Sequence, residues 1–448
     1  MSIKTNRALV IGAGMSGLLS AQMLSKHFDE VVVIEKDCIN DNKCVRLGAP
    51  QFNHPSILLA KGIEIFEYYF SSFTNDLIDA GGIQFDYSKD TYLVINGYKL
   101  PRFSSHIYSI ACTRLLMEKI CRKQLNSNCK IKIIENTEVL QFIFNDKKSL
   151  RGVFVLTPYF KTEIISADFI LDSSGSRSKT KYWLEKSLGI SILKKELCPY
   201  AGYVTQRYFI PDNVNLDWTA VGISIKFPDI PYGAAMLKVE NNQLLVTLVG
   251  ISKQYPPTEY SKILNHTRVL SDSIIYDTLI QLKPVSDVAV FKGFRNRINY
   301  FDQCKYLPHN LVVLGDALLM FNPIYAQGIT MAARAVVKLD HFLTECIGQK
   351  FFALQYQKNL FKHNRILWLV TTIEDLKWIK GKSFNNAIIY KLFNWYKYYL
   401  IKHMINSKKM TQFFLEVIHM IRSPLFLFNP LIVGFLMFKK GVQNDNDN

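Results

Sequence analysis

The feature that most constrains the fold of this chain is a glycine-rich turn close to its N-terminus. The segment Gly12-Ala13-Gly14-Met15-Ser16-Gly17 follows an apolar, β-prone run and opens a stretch with the apolar spacing of a helix. A β-branched run then ends at Glu35, 23 residues beyond Gly12. Strand, turn, helix and strand in this order are typical of the first unit of a parallel, Rossmann-like sheet. We therefore expect an α/β protein.

Each part of this turn has a physical role in holding a dinucleotide. Gly12 would permit the tight turn, Gly14 would let a pyrophosphate approach the backbone, and Gly17 would let the helix pack on the strand. The helix N-terminus would offer unpaired N–H groups to the phosphates, and Glu35 would accept hydrogen bonds from a ribose diol. The predicted site comprises Gly12, Gly14, Met15, Ser16, Gly17, Glu35 and Lys36.

The composition predicts a folded globular chain of 448 residues, with 49% apolar and 20% charged residues. A net charge of +17 would suit a nucleic acid or an anionic membrane. The basic residues are scattered, however, and form no arginine-rich arm, zinc-finger spacing or RNA-recognition signature, so we expect no nucleic-acid partner.

The eight cysteines form no CxxC pair, which favours reduced thiols in a cytoplasmic protein without a metal site. No apolar stretch reaches the roughly 18 residues that a spanning helix needs.

A second constellation lies about 300 residues further along the chain. The apolar run Leu311–Leu314 leads into Gly315-Asp316, then into Asn322-Pro323 and finally into Gln327-Gly328-Ile329. A buried strand that delivers a carboxylate, followed by a proline loop and a glycine that opens a helix, makes a second helix N-terminus suited to negative charge. This pattern resembles the GD-box and the NP-x-x-x-x-G segment of FAD proteins of the para-hydroxybenzoate hydroxylase type.

The resemblance implies that FAD is the dinucleotide and that it is bound non-covalently. By this resemblance Asp316 would hold the ribitol chain of the flavin. The backbone around Pro323, Gln327, Gly328 and Ile329 would lie near the isoalloxazine ring, where the helix dipole would stabilise negative charge on the reduced flavin.

Other segments between these two anchors match the same family. Arg46-Leu47-Gly48-Ala49-Pro50-Gln51 resembles an R-x-G-x-P-Q stretch, which would place Arg46 beside the flavin or the pyrophosphate; a solvated loop arginine is the alternative. Arg114 resembles the start of the helix that approaches the FAD phosphates, with a helix-surface arginine as the alternative. Val139 matches the position whose backbone meets adenine. Asp172 and Gly175 match a D-x-x-G turn in which the aspartate mainly shapes the turn close to the cofactor.

The branch that the sequence resembles most contains the FAD-dependent epoxidases of polyether biosynthesis and related bacterial oxidoreductases. This implies a monooxygenase that hydroxylates or epoxidises a small apolar substrate, polyketide-like or lipid-like, with molecular oxygen through a flavin C4a-hydroperoxide. Such chemistry fits the absence of a Ser-His-Asp or Cys-His constellation, so we name no catalytic acid or base. With a single GxGxxG, electrons would come from transiently bound NAD(P)H or from a separate reductase.

Several alternatives remain open at this point. Flavin halogenases share the scaffold, but the sequence lacks their W-x-W-x-I-P motif. An FAD-dependent reductase of prenyl-type double bonds fits the same cofactor motifs. A third hypothesis is a peripheral membrane, lipid-binding flavoprotein with structural FAD, because residues 424–440 form an apolar run with a basic edge. The alternative for that run is a pair of short helices covering the core.

The predicted fold is three-layered, with a Rossmann-like FAD-binding fold interleaved with a mostly antiparallel substrate lobe and followed by C-terminal helices. The FAD lobe would take residues 1–65, 95–185 and 285–350, the substrate lobe 66–94 and 186–284, and the helical region 351–448. Locally, the pattern predicts a hairpin over Tyr92–Phe103 and one strand from Lys161 to Asp172. Three single histidines near matching segments are interpreted as structural, namely His54, His106 and His309.

Overall fold

The computed structural model describes residues 6–39, 50–145, 148–346, 352–380, 388–430 and 432–434. Within them the strands are β1 (Arg7–Ile11), β2 (Glu30–Ile34), β3 (Ile83–Asp86), β4 (Thr91–Ile95), β5 (Tyr98–Lys99), β6 (Tyr108–Ala111), β7 (Ile131–Ile134), β8 (Glu138–Phe144), β9 (Leu150–Leu156), β10 (Thr162–Ser166), β11 (Phe169–Asp172), β12 (Lys194–Leu197), β13 (Gly202–Phe209), β14 (Ala220–Ile223), β15 (Tyr232–Val239), β16 (Gln243–Gly250), β17 (Lys283–Pro284), β18 (Ala289–Lys292), β19 (Asn296–Asn299), β20 (Leu311–Val313) and β21 (Leu319–Met320). The helices are α1 (Met15–Leu24), α2 (Ala60–Tyr69), α3 (Phe73–Asp79), α4 (Arg114–Asn126), α5 (Thr180–Leu188), α6 (Tyr260–His266), α7 (Ile274–Leu279), α8 (Gly328–Cys346), α9 (Phe352–Lys380), α10 (Ile388–Asn406) and α11 (Lys408–Ile418).

A parallel sheet with the order β20-β11-β1-β2-β7 forms the centre of the N-terminal part of the fold. Its inner strands are apolar and buried along their length, as the continuous β-branched runs predict, with α1 packed on β1 and β2 and with β9, from the three-stranded sheet β10-β9-β8, in contact with β11. Ile11 pairs with Ile34 on one side and with Asp172 on the other. The carboxyl ends of four strands therefore meet at one edge, and the segments that follow β1, β2, β11 and β20 lie side by side. The predicted α/β fold and the first strand-turn-helix-strand unit are confirmed.

A second, larger sheet has the order β17-β13-β16-β15-β14-β4-β5, with β18 paired to β13. Its pairs are antiparallel except for β14 with β4, which agrees with the predicted, mostly antiparallel lobe. The lobe boundaries themselves stay a prediction. β5 and β18 belong to this sheet, although we placed residues 95–185 and 285–350 in the other lobe.

Of two local predictions, one is confirmed by the structure and the other is wrong. The hairpin is confirmed: β4 and β5 are joined by Asn96 and Gly97, which both have positive φ. The single strand from Lys161 to Asp172 is wrong, because the chain leaves one sheet at β10 and enters another at β11. A turn separates them at Asp168, which binds Arg7 through its backbone N–H and its carboxylate. An apolar pattern does not reveal a change of sheet.

The C-terminal helices pack against the cofactor side of the fold and against one another. α8 contacts α1 and α2, and α9 returns antiparallel to α8, with Tyr356 Oη donating to the Ala335 carbonyl at 2.8 Å. Within the described ranges, no helix combines the length and apolarity that crossing a bilayer requires. In the segment after α11, Leu427 is buried while Leu425 and Phe428 are largely exposed.

Candidate cofactor and substrate site

A cavity of about 1510 Å³ begins at the carboxyl edge of the parallel sheet. It passes under the antiparallel sheet and continues between α8, α9 and the C-terminal helices. Pockets for a single small ligand typically measure roughly 300–1,000 Å³. This cavity is therefore large enough to hold more than one molecule.

The glycine turn after β1 forms one wall of this cavity. Gly12 has a φ of +98°, which an L side chain rarely adopts, and a Cβ there would lie 2.8 Å from the Ser173 carbonyl oxygen. A Cβ on Gly17 would lie 1.8 Å from the Gly12 carbonyl oxygen, so the helix can approach the strand only with glycine. At Gly14, by contrast, a Cβ would point into open space, its nearest neighbour being Arg114 Nη2 at 3.9 Å. The backbone at Gly14 thus forms a cradle that a ligand can approach closely.

Glu35 lies buried at the end of β2, at the rim of the same wall. Its carboxylate accepts hydrogen bonds from the backbone N–H of Ala13 at 2.7 Å and of Asp37 at 3.0 Å. These bonds tie β2 to the glycine turn. A carboxylate at the rim of this wall suits the hydroxyls of a ribose, because it accepts hydrogen bonds and does not donate them.

Arg114 lies beside the glycine turn because α4 begins there. Thr113 caps α4, its hydroxyl accepting from the Leu116 N–H at 3.2 Å. Arg114 Nε donates to Glu118 Oε1 at 3.1 Å, and the guanidinium lies 5.6 Å from the centre of the Phe52 ring. These contacts hold a cation at the cavity wall next to Gly14, where a pyrophosphate would need one.

Asp316 faces the cavity from the turn after β20. Burial raises the pKa of its carboxyl, and the nearby cations Arg114 and Arg297 oppose that rise. The guanidinium of Arg297 donates to the carbonyl of Ser176 at 2.5 Å and lies 3.5 Å from the carbonyl of Asp316. Its Nε is buried without a hydrogen-bond partner. Arg297 does not line the cavity, so what it supplies to the site is positive charge close to Asp316.

The loop that precedes α8 forms the border between the two halves of the cavity. Asn322 accepts from the Tyr203 hydroxyl and from the Ile324 N–H, and its amide donates to Asp375 at 3.3 Å. Asp375, 1% exposed on α9, also accepts from Asn296 at 2.5 Å and from Tyr325 at 3.2 Å. A carboxylate from the C-terminal helices therefore fixes the conformation of this loop. Burial raises the pKa of Asp375 to about 6.

Beyond this loop the cavity wall is mainly apolar. It is formed by β4, β14 and β15 and by aromatic side chains; the members include Leu93, Val221, Ile223, Ala234, Phe291 and Phe294. His54 also lines this part of the cavity, and its Nδ1 lies 2.6 Å from Thr205 Oγ1. Burial lowers the pKa of His54 to about 4, so the ring is neutral at pH 7. An apolar, partly closed space of this kind suits an apolar molecule and excludes water.

Comparison with known proteins gives a consistent result for the fold. No protein-family model matches the chain. Protein Rv3254 of Mycobacterium tuberculosis is 23% identical over 420 residues, covering 88% of this chain and 83% of that protein. Among solved structures, a probable FAD-dependent monooxygenase from Pseudomonas aeruginosa, pqsL, gives a TM-score of 0.62 at 14% identity, covering 83% of this chain and 97% of that one.

Two further structures cover nearly the whole chain. A flavoprotein/dehydrogenase from Cytophaga hutchinsonii gives a TM-score of 0.67 at 14% identity, covering 96% of this chain and 95% of that one. The flavin-dependent brominase Bmp2 gives 0.65 at 12% identity and covers 92% of both. The chain has the fold of the FAD-dependent monooxygenases and halogenases. The closer resemblance to polyether epoxidases stays a prediction.

In this flavin-monooxygenase fold, most of the predicted site residues line the one cavity. They are Gly12, Gly14, Met15, Ser16, Glu35, Lys36, Arg114, Val139, Gly175, Asp316, Pro323, Gln327, Gly328 and Ile329. Two predicted residues lie behind its wall: Gly17 at the helix–strand contact, and the fully buried Asp172. Asp172 accepts from Ser174, Ser178 and Thr180 and holds the turn that carries Gly175. Arg46 lies outside the described residues.

The predicted site residues did not include Arg297, Asn296 or Asp375. All three come to the surroundings of the site from distant parts of the chain, and nothing in the local sequence marks Asn296 and Asp375 as buried. Of the three histidines, His54 lines the cavity, while His106 and His309 are exposed elsewhere.

The buried polar atoms Gln327 Oε1 and Thr330 Oγ1, at the start of α8, have no hydrogen-bond partner.

Proposed function

We propose that this chain is an FAD-dependent monooxygenase that hydroxylates or epoxidises a small apolar substrate with molecular oxygen. The observation that carries the proposal is the continuity of one cavity, which joins the glycine turn, Arg114 and Asp316 to an apolar space across the loop before α8. A nucleotide site and an apolar pocket on opposite sides of one loop allow the reactive end of a cofactor to meet a substrate.

The residues present fit FAD. The open backbone at Gly14 and the cation of Arg114 would hold the pyrophosphate, Glu35 with Lys36 beside it would bind the ribose, and Val139 would meet the adenine. Asp316 would bind the ribitol chain, with the cation of Arg297 close to its carboxylate. When bound and reduced, the flavin would supply the electrons with which molecular oxygen is activated.

The chain's own contribution to catalysis would be binding, orientation and exclusion of water. The first N–H groups of α8, at Gly328 and Ile329, have no partner within the helix and would face the isoalloxazine, where they favour negative charge. The Asp375–Asn322 contact would keep this helix end in place. The apolar wall would hold the substrate and keep water away from the reacting atoms.

The direct test is to reconstitute the purified full-length protein with FAD. We expect flavin absorbance that stays with the protein, and reduction of the flavin under anaerobic conditions by NADH, NADPH or a separate reductase. On admission of oxygen with candidate lipids, mass spectrometry should find products that have gained one oxygen atom. A protein that remains colourless after reconstitution would overturn the proposal. A gain of two hydrogens instead would identify a reductase of prenyl-type double bonds.

A peripheral, lipid-binding role is a second candidate, favoured by apolar side chains exposed near the C-terminus. Leu392 is 60% exposed, Leu425 55%, Ile421 49% and Phe428 44%. Such a surface would rest on a membrane interface of an otherwise cytoplasmic protein. The free thiols of the cysteines in the described ranges suit that compartment.

Co-sedimentation with phosphatidylglycerol-containing vesicles tests this candidate. The full chain should sediment with the vesicles, and a chain carrying Leu425→Ser and Phe428→Ser should remain in solution. Ile164, 59% exposed on β10, provides the matched control, because Ile164→Ser removes an exposed apolar side chain from a different face. Equal partitioning of all three proteins would remove the membrane candidate.

A further inference from the structure

The far end of the cavity carries a cluster of basic side chains that the proposed monooxygenase function does not use. Arg334 on α8 and His363 on α9 are in contact, with Arg334 Nη2 lying 3.0 Å from His363 Nε2. One turn further along α8, Lys338 Nζ donates to Asn359 Oδ1 at 3.3 Å. Arg334, Lys338 and His363 all line the cavity, and they are called the cationic cluster below.

Nothing in the described part of the chain neutralises this cluster. Burial lowers the pKa of Arg334, and burial together with Arg334 lowers the pKa of Lys338. The pKa of His363 is lowered by burial and by both of these cations, so the ring is neutral and accepts from Arg334. No carboxylate contributes to the pKa shift of Arg334, Lys338 or His363. Arg334 and Lys338 are half-buried and His363 is exposed, so water reaches the cluster, and an anion could reach these cations from solvent and pair with them.

The described lining of this half of the cavity carries an excess of positive charge, whereas carboxylates and cations are equal in number along the cofactor half. Between residues 328 and 428 the described lining carries one carboxylate, Glu374, against six cationic side chains, namely Arg334, Lys338, Lys362, Lys377, Lys397 and Arg422. Glu374 is paired with Lys377 and with Lys397, the latter at 2.7 Å, and these partners lower its pKa to about 2. The cationic cluster has no such pairing, which makes it the place for an external anion.

The wall between the cationic cluster and the loop before α8 is apolar. One face of α9 presents Ile366, Leu367 and Val370 to the cavity, and the C-terminal segment faces it with Val417 and Leu427. From His363 to Asp375 the helix rises by about 18 Å, at ~1.5 Å per residue. An anionic head at the cluster and a reacting group at the loop would therefore be separated by an extended apolar chain.

We propose that the cationic cluster binds the anionic head group of an amphipathic substrate whose apolar chain lies along α9 toward the loop before α8. The shared chemistry is a negatively charged head, a carboxylate or a phosphate, on an alkyl or polyketide-like chain. The reaction of such a substrate rests on the proposed monooxygenase function, whereas its binding rests on the cluster alone. Arg334 would supply two parallel donors to the head, and Lys338 would supply a point charge.

Calorimetric titration of the full-length protein, with and without added FAD, tests the proposal. The probes are decanoate, decyl phosphate, decan-1-ol and inorganic phosphate. We expect decanoate or decyl phosphate to bind, and the double substitution Arg334→Gln with Lys338→Gln to weaken that binding at least about tenfold, as the loss of charged hydrogen bonds implies. Binding of decan-1-ol, which has the chain without the charge, should change little.

Arg365→Gln is the matched control, since Arg365 is an exposed arginine on α9, two residues from His363, and does not line the cavity. It should bind the probes as the unmodified protein does, and thermal unfolding shows that each variant is folded. Of decanoate and decyl phosphate, the probe that binds more tightly identifies the head group as a carboxylate or a phosphate. The proposal is overturned if the double variant binds both charged probes normally, if decan-1-ol loses as much affinity, or if inorganic phosphate binds as tightly as decyl phosphate. Charge-dependent binding by a protein that takes up no flavin would overturn the oxygenase function and leave the cluster standing.

Discussion

At the scale of single residues, the site depends on buried polar groups whose partners come from distant segments. Asp375 receives hydrogen bonds from side chains that lie 79, 53 and 50 residues away along the chain. Because an ionised carboxylate only accepts, it matches the three donors around it, which are Asn296, Asn322 and Tyr325. A side chain with the same shape but with its own N–H donors would not match them.

We therefore expect Asp375→Asn to lower the free energy of unfolding by about 2 kcal/mol and to weaken the binding of FAD, because an amide N–H would face another donor in a buried site. Urea unfolding and quenching of flavin fluorescence measure the two effects. Asp212→Asn, at an exposed position, is the control and should change neither. Unchanged FAD binding in Asp375→Asn would show that this contact does not hold the loop.

His54 predicts a dependence of stability on pH. Burial lowers its pKa from 6.5 to about 4, so the unfolded chain takes up a proton more readily than the folded one. The stability that this difference contributes is present above pH 6.5 and is lost as the pH falls toward 4. Between pH 7 and pH 5 the loss attributable to His54 is about 2 kcal/mol, since one pKa unit corresponds to ~1.4 kcal/mol.

Urea unfolding of the unmodified protein and of His54→Gln at both pH values measures this contribution. The decrease in stability should be about 2 kcal/mol smaller in His54→Gln. His341 is exposed, and His341→Gln should keep the full decrease. If His54→Gln and the unmodified protein lose stability equally, His54 does not exchange a proton on unfolding in this range.

At the scale of elements, the contact between β1 and α1 decides whether the glycine turn forms. Gly17 and Gly14 belong to one motif and occupy different environments: the first is pressed against the Gly12 carbonyl, and the second opens into the cavity. The same addition of one methyl group should therefore have two different consequences.

We expect Gly17→Ala to destabilise the fold by about 3 kcal/mol, because a Cβ at 1.8 Å from backbone requires the helix to move. Gly14→Ala should leave stability nearly unchanged and weaken FAD binding by at least about tenfold, since its methyl group would occupy the approach to the backbone. Thermal unfolding without cofactor and FAD titration separate the two effects. Equal losses of stability in both variants would contradict the assignment of Gly14 to the cavity.

At the scale of the whole molecule, the cavity belongs to no single part of the fold. Its wall combines the parallel sheet, the antiparallel sheet and the helices α8–α10. A ligand that spans these parts binds the folded chain and not the unfolded one, so it should stabilise the molecule as a unit.

FAD at 100 times its dissociation constant should raise the free energy of unfolding by about 2.7 kcal/mol. FMN at the same concentration should stabilise much less, because it lacks the adenosine part that the glycine turn, Glu35 and Val139 would bind. Thermal unfolding with each flavin is the measurement, and adenosine diphosphate, which carries that part alone, is the control. Equal stabilisation by FMN and FAD would contradict a dinucleotide site at the glycine turn.

The parts of the site that the sequence predicted are those with local requirements. The glycine turn needs a positive φ at Gly12 and a close contact at Gly17, and only glycine meets both conditions. Glu35 directly follows β2, and the parallel register of β1 with β2 places it beside the turn. The segment around Asp316 also combines a strand, a carboxylate and a helix start within a few residues.

Tertiary structure alone decided which distant side chains complete the site. Asp375, Arg297 and the cationic cluster lie on elements whose sequence pattern is that of an ordinary helix or strand, and their partners are tens of residues away. The tertiary structure also shows that the segment before Asp172 belongs to two sheets, β10 to one and β11 to the other. The spacing of apolar residues along a segment does not specify which strand each residue pairs with. The sequence by itself thus determined the α/β fold and the nucleotide turn through local backbone geometry. The shape and charge of the substrate end follow from packing between elements that are far apart in the chain.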